Sequence, residues 1–312
     1  MKVLLSAPYM IPVLDRFRGT FERNGIELVV AEVVECLDEG QLLEYVGDVH
    51  GVICGDDRFS ARVLEAAPKL RVISKWGTGI DSIDLSSCER LGVKVFRTPN
   101  AFTQPVADTA MGYILCFARR LPWMDQEMKA GMWSKSATRA LNECTLGIIG
   151  VGNIGRALAL RAMAFGMRLF GNDPKTMPAD FLKETGISMI SRSELLERAD
   201  FVSINCDLNP TSHHLIGHKE FSLMKPEAVL INTARGPIVS ETNLIAALRQ
   251  KRIAGAALDV FEDEPLSSHN PLAEMPNVML APHNANGSPA AWEMVHLNTI
   301  DNLINGLKEE AP

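Results

Sequence analysis

Short apolar runs, rich in β-branched residues, recur along this chain between stretches of amphipathic pattern. KVLLS, IELVVA, VHGVIC, RVISKW and VKVF fall within the first hundred residues, spaced by patterns such as VLDRFRGTFERNG and FSARVLEAA. Short buried runs alternating with helical periodicity predict βαβ units and a parallel sheet covered on both faces. This first region predicts a small open α/β domain. TPNAFTQP interrupts it, and a long helical pattern follows from about Val106 to Met132, with Pro122 placed to kink or split it. A second strand series opens at TLGIIG and runs through MRLFGN, ISMI, FVSIN, AVLIN, GAALDV and NVMLAP, with NIGRALALRAMAFG, RSELLERA, HKEFSLM and ETNLIAALRQK as helices between them. That pattern predicts a second, larger doubly wound domain. SPAAWEMVHLNTIDNLINGL closes the chain as a helix without a sheet of its own, so it is expected to return to the first domain.

At 312 residues the chain suffices for two domains. A formal net charge of −7 offers no basic field for nucleic-acid phosphates, so no nucleic-acid partner is expected. Cys36, Cys54, Cys88, Cys116, Cys144 and Cys206 are scattered, without metal-ligand spacing, and read as reduced thiols with no metal site. The apolar run at the start is cut short by Pro8, Pro12 and Asp15. No apolar stretch approaches the roughly 20 residues of a membrane helix. The expectation is a cytoplasmic protein with no membrane partner.

GIIGVGNIG changes the picture from fold to chemistry. Gly150, Gly152 and Gly155 satisfy G-x-G-x-x-G, a weak signal alone, but here it follows an apolar run and opens a helical pattern. The glycines permit a tight turn, close approach to a pyrophosphate and close helix–strand packing, and the helix start offers unpaired N–H groups to phosphate. Asp173 ends the next strand, near the interval of about 20 residues expected for a carboxylate on the ribose hydroxyls. Such a carboxylate favours NAD over NADP, with Lys175 nearby to soften the preference; the plain alternative is a turn residue before Pro174.

Three further segments, INTARGPIVS, ALDVFEDEP and LAPHNANGS, each lie at the end of a strand-like run. Ligands of open α/β sheets bind beyond the carboxyl ends of strands, so Arg235, Glu264 and His283 can converge there. An arginine fork matches a carboxylate, a histidine exchanges a proton near neutral pH, and an acid beside it holds the ring. Taken singly, each has a bland alternative: a turn cap, a solvated acidic loop, a loop histidine.

GVGNIG, INTARG, ALDVFEDEP and APH, in this order, resemble the D-isomer-specific 2-hydroxyacid dehydrogenase family over nearly the whole chain. The resemblance implies a Rossmann NAD-binding domain, 99–285, inserted into a flavodoxin-like substrate domain formed by 1–98 and 286–312. It implies Arg235 orienting the substrate carboxylate, with His283 and Glu264 as the acid/base pair. Hydride would pass between nicotinamide and C2 of a small D-2-hydroxy or 2-keto acid. Cofactor contacts implied are Thr78, Gly150, Gly152, Asn153, Ile154, Gly155, Asp173, Cys206, Thr211, Thr233, Ala234, Arg235, Asp259 and His283, with Asp259 near the carboxamide. Cys206 departs from the family's usual histidine or threonine, and His213 and His214 read as surface residues. Lys75, Trp76, Gly77 and Thr78, with Arg235 and His283, are the implied substrate contacts, and the glycines around Thr78 can form an anion nest. Lys75, at the mouth of this loop, and Arg58 are candidates for contact with a second anionic group, and both read equally as solvated surface cations. Asp56 and Asp57, near the position where phosphoglycerate dehydrogenases often carry an arginine, would repel a phosphate. Glyoxylate, hydroxypyruvate or another short 2-keto acid stands beside phosphoglycerate as the substrate. The resemblance also implies a homodimer through residues 101–133. A non-catalytic NAD(H)-sensing protein on the same scaffold is the alternative; the complete Arg235–Glu264–His283 set favours the enzyme.

Overall fold

A computed structural model describes residues 1–308. Contacts divide the chain into two compact units: Met1–Phe102 with the chain from Ser288 onward, and Thr103–Gly287. The crossings fall a few residues later than the 98/99 and 285/286 read from the sequence. The reasons are local: Phe102 packs on Trp76 at 5.7 Å between ring centroids, and Asn284 and Ala285 are tied by their N–H groups to Asp259.

The first unit is a five-stranded parallel sheet: β1 (Lys2–Leu5), β2 (Glu27–Val30), β3 (Gly51–Cys54), β4 (Val72–Lys75) and β5 (Lys94–Phe96). Its order is β2-β1-β3-β4-β5, that of flavodoxin-like sheets. β3 and β4 are buried along their length, as a sheet covered on both faces demands. Helices α1 (Arg18–Arg23), α2 (Glu39–Tyr45), α3 (Ala61–Glu65) and α4 (Leu85–Leu91) connect the strands. Side chains of Asp38, Ser60 and Asp84 cap the last three by accepting backbone N–H groups. The final helix of the chain, Pro289–Lys308, lies against β3, β4 and β5. Ser74 Oγ donates to the Thr299 carbonyl at 2.8 Å, which satisfies a buried hydroxyl inside that packing.

The second unit opens with α5 (Thr103–Arg119) and α6 (Leu121–Lys129). The single helical pattern from 106 to 132 is two helices because Arg120 takes a left-handed φ of +52° and Pro122 occupies the first turn of α6. Seven parallel strands follow: β6 (Thr145–Ile149), β7 (Arg168–Asn172), β8 (Ser188–Met189), β9 (Phe201–Ile204), β10 (Val229–Asn232), β11 (Gly255–Leu258) and β12 (Val278–Leu280). They run in the order β12-β11-β10-β9-β6-β7-β8. The chain winds outward both ways from β6 and β9, so the switch point lies between them. The connecting helices are α7 (Asn153–Ala164), α8 (Ala179–Thr185), α9 (Arg192–Arg198), α10 (His218–Leu223) and α11 (Glu241–Arg249), and the terminal helix of the first unit is α12. α5 packs on α7 through small residues, Ala107, Ala110, Ala159 and Ala162, all fully buried. Three helices escaped the sequence pattern, α2, α4 and α8. No helix among the described residues is long and apolar enough to cross a membrane.

Candidate active site

β6 ends at Ile149 and the chain turns at once into α7. Gly150 has φ +88°, and a Cβ there would stand 2.5 Å from the backbone nitrogen of Cys206. Gly155, at the start of α7, would overlap the Gly150 carbonyl if it carried a side chain. Gly152 is the opposite case: exposed, with open space around its Cα. Its neighbours Asn153 and Ile154 begin α7, so their N–H groups stand in the first turn of that helix. Asp173, just beyond β7, accepts from Val151 N–H and from Lys175 N–H, both at 2.8 Å. Its carboxylate is therefore tied to the glycine loop it was expected to accompany.

Behind the loop lie Asn205 and Cys206, which follow β9. Burial pushes the Cys206 thiol up to about 11, so at neutral pH it stays protonated. Asn205 Oδ1 and Thr233 Oγ1 are buried and meet no protein hydrogen-bond partner. Unspent polar atoms inside a protein call for a partner from outside it. Together with the opening at Gly152 and the carboxylate of Asp173, they fit a dinucleotide. Thr211 does not join them: it is exposed, and its hydroxyl donates to Asn209 Oδ1 at 2.6 Å within its own loop.

Arg235, Glu264 and His283 follow β10, β11 and β12, three adjacent strands, so the sheet delivers all three to one edge. Asn232 shapes the first turn by accepting from Ala234 N–H at 3.1 Å and donating to the Arg235 carbonyl at 2.9 Å. Arg235, half-buried, donates to the Ala234 carbonyl at 2.9 Å. Gly236 then lies so close to the Phe261 carbonyl that any Cβ would overlap it. The turn carrying Arg235 and the loop carrying Glu264 are thus packed backbone to backbone. Glu264 divides its carboxylate: Oε1 accepts from Phe261 N–H at 2.9 Å, and Oε2 meets His283 Nδ1 at 2.8 Å. That bond directs Nδ1 to the carboxylate and turns Nε2 to the opposite side of the ring.

His283 adopts a left-handed φ of +48°, which a non-glycine residue keeps only where its surroundings hold it. Asp259 does the holding. Its carbonyl accepts His283 N–H at 2.8 Å, and its carboxylate accepts Asn284 and Ala285 N–H at 2.9 and 2.8 Å. Asp259 is 1% exposed. Burial pushes its carboxyl up, against the opposing pull of those two N–H groups and of His283.

The first unit places the other expected residues differently from a solvated anion nest. Lys75 is 3% exposed, with Nζ 3.2 Å from both Asp56 Oδ1 and the Trp76 carbonyl. It is neither a cation at a loop mouth nor a solvated one. Gly77 has φ +127°, and Thr78 spends its hydroxyl on the Thr98 carbonyl at 2.9 Å. Arg58 is exposed. The acidic pair expected to repel phosphate is also spent: Asp56 faces Lys75, and Asp57 is fully buried, accepting from Ser6 Oγ, Leu37 N–H and Gly55 N–H. Their sequence position beside Arg58 concealed this. His213 and His214 are exposed, the latter paired with Glu262 at 2.8 Å. Asn205, Asn232 and Phe261 were missed; only their place at strand ends, beside the motifs, signalled them.

Residues 111–285 match the family model described as D-isomer specific 2-hydroxyacid dehydrogenase, NAD binding domain. The chain is 38% identical over 283 residues to a glyoxylate reductase of Thermococcus litoralis, covering 88% of this chain and 85% of that one. It is 37% identical over 301 residues to glyoxylate/hydroxypyruvate reductase B of Klebsiella pneumoniae, covering 95% and 91%. Among solved structures it resembles a D-lactate dehydrogenase of Aquifex aeolicus complexed with NAD and lactic acid, with a TM-score of 0.85, 27% identity, and 96% and 93% of the two chains covered.

Proposed function

The chain belongs to the D-isomer-specific 2-hydroxyacid dehydrogenase family, and from that premise we propose that it is an NAD-dependent oxidoreductase acting on a short 2-keto acid, with glyoxylate and hydroxypyruvate as the leading substrates. The observation that carries the reading is the 2.8 Å pairing of His283 Nδ1 with Glu264, on the sheet edge that also presents Arg235.

The residues that would hold the dinucleotide are the Gly150–Gly155 loop with Asn153 and Ile154 at the diphosphate, Asp173 at the ribose, and Cys206, Thr233, Ala234 and Asp259 along the remainder. The nicotinamide, when bound, supplies or takes up the hydride exchanged with C2. Arg235 binds the substrate carboxylate through its guanidinium fork. His283 gives its Nε2 proton to the keto oxygen during reduction and takes it back during oxidation. Glu264 orients the ring and favours the imidazolium that exists before that proton leaves. Lys75, Trp76, Gly77 and Thr78 contribute to substrate binding from the first unit, Lys75 as a buried charge that shapes its loop. Two copies of the chain associate through residues 101–133, and the protein works in the cytoplasm.

The test is a panel of 2-keto acids, offered with NADH and with NADPH and followed by nicotinamide absorbance. Turnover of glyoxylate or hydroxypyruvate, faster with NADH, supports the reading. Tight NADH binding with turnover of none would replace it with the NAD(H)-sensing alternative.

A further inference from the structure

One buried titratable group takes no part in this chemistry. His296 sits on α12, 3% exposed, and its Nδ1 accepts the indole N–H of Trp76 at 2.9 Å. Trp76 directly follows β4 and is packed by Tyr9, Phe102 and Trp292 at ring-centroid distances of 5.0, 5.7 and 5.7 Å. The far side of the imidazole meets the Phe17 ring at 5.9 Å. An indole N–H can only donate, so the bond needs a lone pair on Nδ1 and hence a neutral ring carrying its hydrogen on Nε2. The charged groups acting on the ring are Glu293, on the same helix, and Arg16, from the segment after β1. These two pair with each other at 2.6 Å, so their opposite effects on the imidazole largely offset.

We propose that His296 is a positioning residue: its neutral ring holds the Trp76 indole and with it the Lys75–Thr78 loop, and its protonation releases the indole and weakens 2-keto acid binding. The proposal rests on the reading of that loop as substrate-binding. Burial, the dominant influence, lowers the proton affinity of His296 below the ordinary histidine value of 6.5. The neutral ring is therefore favoured in the folded chain. The stabilisation is full above that value, and the bond itself breaks only as pH falls through the lower folded value.

The experiment compares the whole protein with His296→Asn, which places an uncharged acceptor where Nδ1 stands, and with His296→Leu, which removes the acceptor. KM for glyoxylate, or whichever 2-keto acid the panel finds, is measured from pH 5 to 8, with NADH affinity by coenzyme fluorescence as the reference. Trp76 emission is isolated by subtracting the spectrum of Trp76→Phe. At pH 7.5 the leucine variant raises KM about fivefold, the worth of one lost hydrogen bond, with NADH affinity unchanged. As pH falls below the ordinary histidine value of 6.5 and through the lower folded value, wild-type Trp76 emission shifts and KM rises more steeply than in the asparagine variant, whose emission stays flat. Wild type and asparagine variant sharing one emission curve would overturn the role of His296. An emission shift with no change in KM would instead overturn the substrate reading of the loop.

Discussion

His283 is held at three points: its backbone N–H on Asp259, its Nδ1 on Glu264, and its φ of +48° by the two N–H bonds that follow it. Such a side chain has one orientation to offer, which is what proton transfer to a fixed oxygen requires. His283→Ala is expected to lower kcat by about a hundredfold to ten-thousandfold, the usual worth of a general acid. NADH affinity should fall far less than kcat, checked by a fluorescence titration beside steady-state kinetics. Asp259→Asn faces two backbone donors with one oxygen and one amide, so one donor is left unmet at a cost of about 1–3 kcal/mol. The expected outcome is a lower melting temperature together with a lower kcat. Equal melting temperatures would show that the 283–285 segment is held by something other than this carboxylate. The histidine and its acid were legible in the sequence because APH and FEDEP stand at strand ends. The clasp was not, because a main-chain N–H has no letter in a sequence.

At the scale of elements, two glycines of one loop predict opposite outcomes. Gly152 has free space around it, so Gly152→Ala should leave the melting temperature unchanged while weakening NADH binding, since the methyl would occupy the cradle. Gly150 has φ +88° and backbone within 2.5 Å of a would-be Cβ, so Gly150→Ala should destabilise the fold by more than about 1 kcal/mol. Differential scanning calorimetry paired with coenzyme titration separates the two effects. The G-x-G-x-x-G spacing announced a strand, a turn and a helix, and those are β6 and α7. It did not distinguish the glycine that makes room for a ligand from the glycine that makes room for its own backbone. That difference depends on Asn205 and Cys206, more than fifty residues away along the chain.

At the scale of the molecule, the sequence of α5 and α6 left one question open: how much of their apolar surface the chain covers itself. Met111, Tyr113 and Ile114 are buried in the second unit. Leu121, Met128, Met132 and Trp133 remain exposed, Trp133 at 81%. Contiguous exposed apolar side chains of this kind mark association surfaces. Analytical ultracentrifugation is expected to give a mass of twice 34.2 kDa, and Met128→Glu combined with Trp133→Glu is expected to shift it to one chain. A wild-type sedimentation mass of a single chain would remove the homodimer from the proposal.

The sequence by itself determined the class of fold, the place of the glycine loop and the three side chains that adjacent strands bring to one sheet edge. Periodicity, glycine spacing and residue chemistry are local properties, so they survive in one dimension. The tertiary structure alone decided which polar groups were already spent. Lys75 and Asp56 look like surface charges in a string of letters, yet the first is buried against the second. Asp57 looks like a phosphate-repelling acid, yet it is enclosed by donors from Ser6, Leu37 and Gly55. Burial and hydrogen bonding are relations between distant segments, and they set whether a charge faces a ligand or its own protein.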